Sequence, residues 1–225
     1  MKSELDGLTS SETRRADLRK ELDQLRLEYA TAAAALSKKR RGVSRKLEKA
    51  IEKELRFLAM PTVVFSLQWT DVRPGSRTGA DRVEFLISPN TGEEPRPLSR
   101  IASGGELSRI MLALRTVLTV DHPRKTLIFD EVDAGVGGKA AETVGMKLKE
   151  LSRRYQILCV THLAQIAAFA DHHYRIEKVV LDGRTVTRVD ALDGESRVEE
   201  LARMMSGSRI TDAARQHVKE LLSRS

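Results

Sequence analysis

A long exposed helix leading into an α/β domain with a largely parallel sheet is the fold this sequence predicts. Three observations carry it. Residues 1–59 hold a narrow apolar seam in an otherwise charged stretch. After Pro61, apolar runs of strand length alternate with runs of helical periodicity, the pattern of parallel strands covered by helices. Two of the strand-like runs end in polar residues, Asp130-Glu131 and Thr161-His162, and open α/β sheets gather ligands at the carboxyl ends of their strands.

The helix comes first. Leu8, Ser11, Arg15, Leu18, Leu22, Leu25, Tyr29, Ala32 and Leu36 recur by threes and fours, as in a coiled-coil seam. Leu18 to Leu36 is its strongest section. From Val43 the apolar positions Leu47, Ile51, Leu55 and Leu58 drift to wider spacing, and the heptad loosens near Gly42. A narrow seam with charge elsewhere favours an arm over a helix packed on its own domain, the second reading. Pro61 ends the helix, so the chain divides into 1–59 and 60–225.

The globular part follows in order. Val63–Trp69 and Arg82–Ile87 read as strands joined by a turn-rich loop around Pro74-Gly75-Ser76 and Gly79. A proline-rich loop, Ser88–Pro97, leads to a helix over Glu106–Val120. Then come the acidic strand, a helix over Lys139–Arg154, the Thr-His strand and a helix over Leu163–Ala170. Asp182-Gly183 joins two alternating runs as a hairpin. Arg197–Met205 and Thr211–Leu222 read as amphipathic helices around Gly207.

Three short pieces carry chemistry. Ser103-Gly104-Gly105-Glu106 precedes a helical run. Ser103 is an N-cap candidate, and Glu106 stands where a capping box needs it. Paired glycines let backbone approach an anion, and a helix N-terminus favours phosphate. An ordinary capped helix is the alternative. Thr126-Leu127-Ile128-Phe129 is a buried-strand run ending in Asp130 and Glu131. One carboxylate suits Mg²⁺, which prefers few carboxylates plus water and phosphate oxygens. The other could orient or deprotonate water; two solvated acids are the alternative. The third piece ends in Thr161-His162, where a histidine past a strand end could meet a γ-phosphate or serve as a structural hydrogen-bonder. Cys159 reads as a small core residue. His172 and His173 show no further zinc-spaced ligand and read as surface or capping residues.

In this order the pieces resemble the signature motif, Walker B strand and switch histidine of ABC-type ATPase heads. The longer wording is closer still to one family. Pro97 through Leu114, Phe129-Asp130-Glu131-Val132-Asp133-Ala134-Gly135-Val136 and Cys159 through Ala167 resemble RecN, a family of bacterial SMC-like ATPases of double-strand break repair. The resemblance implies the C-terminal lobe of an ABC/SMC-type head over 60–225 and a coiled-coil arm over 1–59. It implies ATP and Mg²⁺ as cofactors, with Asp130 holding Mg²⁺, Glu131 and His162 catalytic, and Ser103, Gly104, Gly105 and Glu106 binding ATP held by a facing head. Asp133 would lie at the head–head contact. The partners implied are a P-loop lobe with a returning helix, a second head, and DNA. No G-x-x-x-x-G-K-[S/T] loop is present; Gly137-Gly138-Lys139-Ala140 lacks the earlier glycine and the hydroxyl residue. The chain thus reads as a C-terminal portion, with Met1 an introduced start and no activity expected alone. A non-hydrolysing tethering scaffold and another SMC-like head are the alternative functions.

Composition agrees. Of the residues, 32% are charged, 40% hydrophobic and 4% aromatic, with one cysteine. That excludes a disulfide framework and suits a reducing, cytoplasmic, nucleoid-associated setting; a membrane partner is not expected. Net charge is +7. Residues 38–56 hold nine Lys/Arg against three Glu, nearly the whole excess. Lys38, Lys39, Arg40, Arg41, Arg45 and Lys46 are therefore the duplex-phosphate candidates, against a merely solvated helix face. So few aromatics argue against base stacking.

Overall fold

The computed structural model describes residues 2–90, 92–101, 103–118, 125–207 and 210–224, with the side chains of residues 2–11 and Pro74 left out. The expectations that touch Leu8, Ser11, Ala102 and Val120 lie outside those limits.

The first element, α1 (Lys2–Phe57), is one uninterrupted helix through Gly42. Leu18, Leu22 and Leu25 of the seam are exposed. The buried positions further along α1 are Ala33, Ser44, Ile51 and Leu55. By contacts the chain divides into two compact units, 1–48 with 67–85, and 49–66 with 86–225. The boundary read at 59/60 marks the end of the helix and the turn into Pro61.

In the first unit, part of α1 packs on its own chain. A hairpin of β1 (Val64–Ser76) and β2 (Gly79–Ser88) lies along it. Tyr29 Oη donates to the Ser76 carbonyl at 3.1 Å, and the Leu67 amide donates to Glu48 Oε1 at 2.9 Å. The Arg41 guanidinium stands 5.3 Å from the Trp69 ring centroid. Both strands outrun the sequence reading, and the turn shrinks to Arg77-Thr78. Gly75 lies inside the strand, at a place where a Cβ would run into the Tyr29 ring.

In the second unit, β2 pairs antiparallel with β3 (Arg96–Pro97). A 3-10 turn, Leu98–Arg100, leads to α2 (Gly104–Val117). Next come β4 (Thr126–Phe129), α3 (Gly138–Ser152) and β5 (Gln156–Cys159). β4 and β5 pair in parallel, Phe129 opposite Cys159. Among the described residues this is the parallel pairing; the others are antiparallel. The two-residue Asp182-Gly183 turn allows nothing else between β6 (His173–Leu181) and β7 (Arg184–Leu192). His173 thus lies within a strand, half-buried, and burial holds its pKa below the usual histidine value.

Helix α4 is a single turn, Ala164–Ala167, shorter than its apolar run suggested. Arg197 donates to the carbonyls of Ala168 and Ala170 at 2.9 and 2.7 Å, satisfying backbone that helix would otherwise pair. Ala164 and Ala167 pack with α5 (Gly194–Ser206) and α6 (Asp212–Arg224) through Leu201, Ala202 and Val218. On α3, Gly145 admits the Phe169 ring where a Cβ would clash. Together these contacts hold the segment that follows β5. No helix among the described residues is long and apolar enough to cross a membrane.

Candidate nucleotide site

The site forms where α2, β4 and β5 meet. Ser103 caps α2, its Oγ accepting from the Glu106 amide at 3.3 Å. An accepting hydroxyl keeps its own proton free to donate elsewhere. Gly104 is exposed and Gly105 buried. A Cβ on Gly105 would lie 2.6 Å from Ala134 Cβ and 2.8 Å from the Glu131 carbonyl oxygen, so only glycine lets α2 enter this closely. Ser108 Oγ, a turn further on, donates to the Asp130 carbonyl at 2.6 Å. The signature-like turn and the acidic strand end are therefore bolted together in one chain.

Asp130 and Glu131 are both exposed at the end of β4. Glu131 has φ 55°, a left-handed conformation that costs a non-glycine residue about 1–3 kcal/mol and concentrates at functional sites. Its carboxylate occupies the space a Cβ on Gly104 would need, close to the positive end of α2.

Asp133 behaves differently from its neighbours. It is buried, and Oδ2 accepts from Thr161 Oγ1 at 2.5 Å and from the His162 amide at 2.9 Å. His162 Nδ1 lies 3.0 Å from the same oxygen, while the His162 side chain remains 74% exposed. Asp133, expected at a head–head contact, is buried instead, with two donors of its own chain on Oδ2. The exposed residues of that turn are Ala134, Gly135 and Gly137.

Sequence reasoning passed over Arg109, Ser108 and Thr161 as site residues. The buried Arg109 donates to the carbonyls of Val132 and Ala134 at 3.5 and 2.7 Å. Burial pulls its pKa below the usual guanidinium value, with Glu106 opposing. A helix-borne arginine on an otherwise apolar stripe was the available signal. Cys159 beneath the site is half-buried, and its thiol is pushed up to about 12, first by burial and then by Asp133 and Asp130. It is an unreactive thiol, as a small core residue would be.

The site residues fit an anion and one hard cation. The described residues contain no cluster of three or more His, Cys, Asp or Glu able to hold a metal. Mg²⁺ suits such a site, since one or two carboxylates suffice when phosphate oxygens and water complete the octahedron. Gly104 leaves the start of α2 exposed, with the Glu131 carboxylate beside it.

A capped Ser-Gly-Gly turn, a strand ending in Asp-Glu and a parallel strand ending in Thr-His meet here in one α/β unit. The known proteins sharpen this. The chain is 40% identical over 238 residues to the DNA repair protein RecN of Bacillus subtilis, covering 99% of this chain and 41% of that protein. It is 44% identical over 220 residues to RecN of Deinococcus radiodurans, covering 98% and 38%, and 39% identical over 226 residues to RecN of Halalkalibacterium halodurans, covering 99% and 40%. Over nearly its whole length the chain is similar to a segment of RecN, and it spans about 40% of the length of the curated relatives it matches. No family model matches it. Among solved structures, the Smc head domain with a coiled coil and joint from Pyrococcus yayanosii aligns at TM-score 0.48 and 20% identity, over 87% of this chain and 37% of that one. A chain from a study of ATP-driven dimerisation and DNA-stimulated activation of SMC ATPases aligns at TM-score 0.41 and 20% identity, over 75% and 99%. Both scores are too low to carry an argument.

Proposed function

We propose that this chain is the signature-bearing half of a composite ATPase head acting in DNA double-strand break repair, as part of a longer cytoplasmic, nucleoid-associated protein. The observation that supports it is the meeting of Ser103, Asp130-Glu131 and His162 at one end of β4 and β5, braced by Ser108 and Arg109. Fold alone would not carry a function; this set of residues in these roles does.

Mg²⁺–ATP supplies the reacting phosphoanhydride and part of the charge neutralisation. The chain's own residues do the rest. Asp130 offers a carboxylate to the cation. Glu131 orients the attacking water and takes up its proton. His162 turns a ring nitrogen toward the γ-phosphate, and Ser103 with the α2 amides caps the phosphate bound to a facing head. Phosphoryl transfer depends on positioning and charge more than on covalent help, so pieces from two heads suffice once they are brought together. The turn of Ala134, Gly135 and Gly137, anchored by Asp133, is the head–head contact. Head closure, favoured when ATP binds the closed state more tightly, then governs how coiled-coil arms hold DNA. The exposed seam of Leu18, Leu22 and Leu25 is the face for a returning helix. Lys38, Lys39, Arg41, Arg45 and Lys46 are exposed and Arg40 half-buried; they serve as the duplex contact.

The test is ATP hydrolysis by this chain alone and after mixing with a separately made P-loop lobe of the same protein. The expected result is no turnover alone and turnover on mixing. Turnover by the chain alone, lost in Glu131→Gln, overturns the split site.

A further inference from the structure

We infer that the exposed seam of α1 runs on past Leu25, beside the β1–β2 hairpin, as far as Val43, and that the helix covering it there carries an acidic flank. The inference rests on the proposed pairing of Leu18, Leu22 and Leu25 with a returning helix, and extends it.

Two rows run side by side along this part of α1. Leu22, Tyr29, Leu36 and Val43 stand seven residues apart. At 3.6 residues per turn such a row drifts by only about 20° per repeat, so it keeps to one side of the helix. All four are exposed. The second row is closed. Ala33 and Ser44 are buried, and Arg40 is half-buried against the hairpin, where a Cβ on Gly79 would lie 3.4 Å from its Nη1. Val43 and Ser44 mark the division. They are neighbours in sequence and about 100° apart around the helix; Val43 is 60% exposed and Ser44 8%.

Tyr29 and Leu36 meet the hairpin with one edge only. Tyr29 Oη donates to the Ser76 carbonyl at 3.1 Å, and a Cβ on Gly79 would lie 3.2 Å from Leu36 Cδ2. The rest of each side chain stays in solvent. The hairpin therefore flanks the row without closing it. A single exposed leucine needs no explanation, and Leu27, on the far side of the helix, is one. Four large apolar residues in heptad register form a seam for another helix.

The adjoining heptad row sets the chemistry of that helix. It reads Leu18, Leu25, Ala32, Lys39 and Lys46, apolar at first and basic beside the hairpin. Lys39 and Lys46 are exposed. No acid lies between Glu28 and Glu48, so α1 itself offers these lysines no counter-charge at helical spacing along that stretch. Lysine stems lie along a paired helix while their ammonium groups reach its rim. Acidic residues on the facing rim are the ones that fit there. The ammonium groups stay at the surface, within reach of a duplex. The occupant is a segment of the same longer polypeptide, since this chain spans about 40% of the length of its RecN relatives.

The test places single cysteines in the full-length protein, on a cysteine-free background without DNA, and follows their labelling by a bulky maleimide. The Leu22→Cys and Val43→Cys variants are expected to react about tenfold more slowly than Leu27→Cys, at any protein concentration. Adding Lys39→Glu and Lys46→Glu is expected to restore fast labelling in Val43→Cys while Leu22→Cys stays protected. If both seam cysteines react as fast as Leu27→Cys, no helix lies on α1 and the returning arm itself falls. If Leu22→Cys is protected and Val43→Cys is not, the arm stands and its extension beside the hairpin is overturned. Protection that fades on dilution makes the occupant a second copy and overturns the assignment. Protection of Val43→Cys that ignores the two glutamates removes the acidic flank, and protection that appears only with added duplex assigns the row to DNA instead.

Discussion

At the carboxyl ends of β4 and β5, side chains are tied to a second segment of the chain. Ser108 reaches the Asp130 carbonyl, Arg109 the turn after it, and Asp133 the end of β5. Along residues 38–56 of α1 most basic side chains stand in solvent instead, although acids of the same stretch reach a second segment, Glu48 accepting from the Leu67 amide and Glu52 from the Phe65 amide. Lys38, Lys39, Arg45 and Lys46 are exposed. Arg41 lies over Trp69, and Arg56 meets Glu52 of its own helix at 3.5 Å with both groups partly solvated. The difference follows from what each region has to do. Phosphoryl chemistry needs groups placed to a fraction of an ångström, and only crosslinked backbone holds them so. A duplex backbone presents a repeating line of charge, and a field of solvated cations meets it without fixed geometry.

Substitutions in each region test that contrast. The largest effect belongs to the site. In the full-length protein, Glu131→Gln is expected to slow ATP turnover by about a hundredfold or more while head pairing with ATP persists. Ser103→Arg is expected to do the reverse: nucleotide still binds the P-loop lobe, but light scattering no longer shows ATP-dependent dimers. Retained turnover in the first variant, or an unchanged dimer fraction in the second, removes the assigned role.

A smaller effect compares two glycines by thermal unfolding of this chain. Gly105→Ala puts a methyl against Ala134 and the Glu131 carbonyl, and overpacking of this kind costs about 1–3 kcal/mol. Gly42 lies mid-helix with nothing within 4 Å of a Cβ, so Gly42→Ala should stabilise α1 by about 0.5–1 kcal/mol. Opposite shifts in Tm support the contrast between a crosslinked site and an open helix. Shifts of one sign break it.

The smallest effect per residue lies in the basic stretch. Neutralising Lys38, Lys39, Arg40 and Arg41 together should weaken duplex binding and reduce the slope of log K against log salt by up to about 0.9 per lost phosphate contact. The half-buried Arg40 should contribute least. An unaltered slope rejects this face as a DNA contact.

Much of the site was legible in the sequence because its pieces are contiguous. A cap residue, two glycines and a helical run announce α2, and Ser103 caps it as read. Apolar runs ending in Asp130-Glu131 and Thr161-His162 announce two strands, and β4 and β5 place those ends side by side, but Ile128, Leu158 and Val160 stand exposed where the runs predicted burial. The hairpin at Asp182-Gly183 was equally plain, since a two-residue turn leaves one solution.

The features legible from residue order are therefore local: which residues cap, which alternate, which strands end in acids, and that a long helix precedes the α/β part. Tertiary structure alone decided where Asp133 points, that Arg109 braces its turn, that α1 buries Ala33 and Ser44 while leaving Leu18, Leu22 and Leu25 exposed, and that the β1–β2 hairpin runs on past Pro74. The physical reason is common to all of these. Each depends on a partner 25 or more residues away, and helical or strand periodicity records only that a face is buried, not what covers it. A buried carboxylate and an exposed one look alike in sequence. Only the fold brings Thr161 and His162 to Asp133, and with them the difference between a surface contact and an inward anchor.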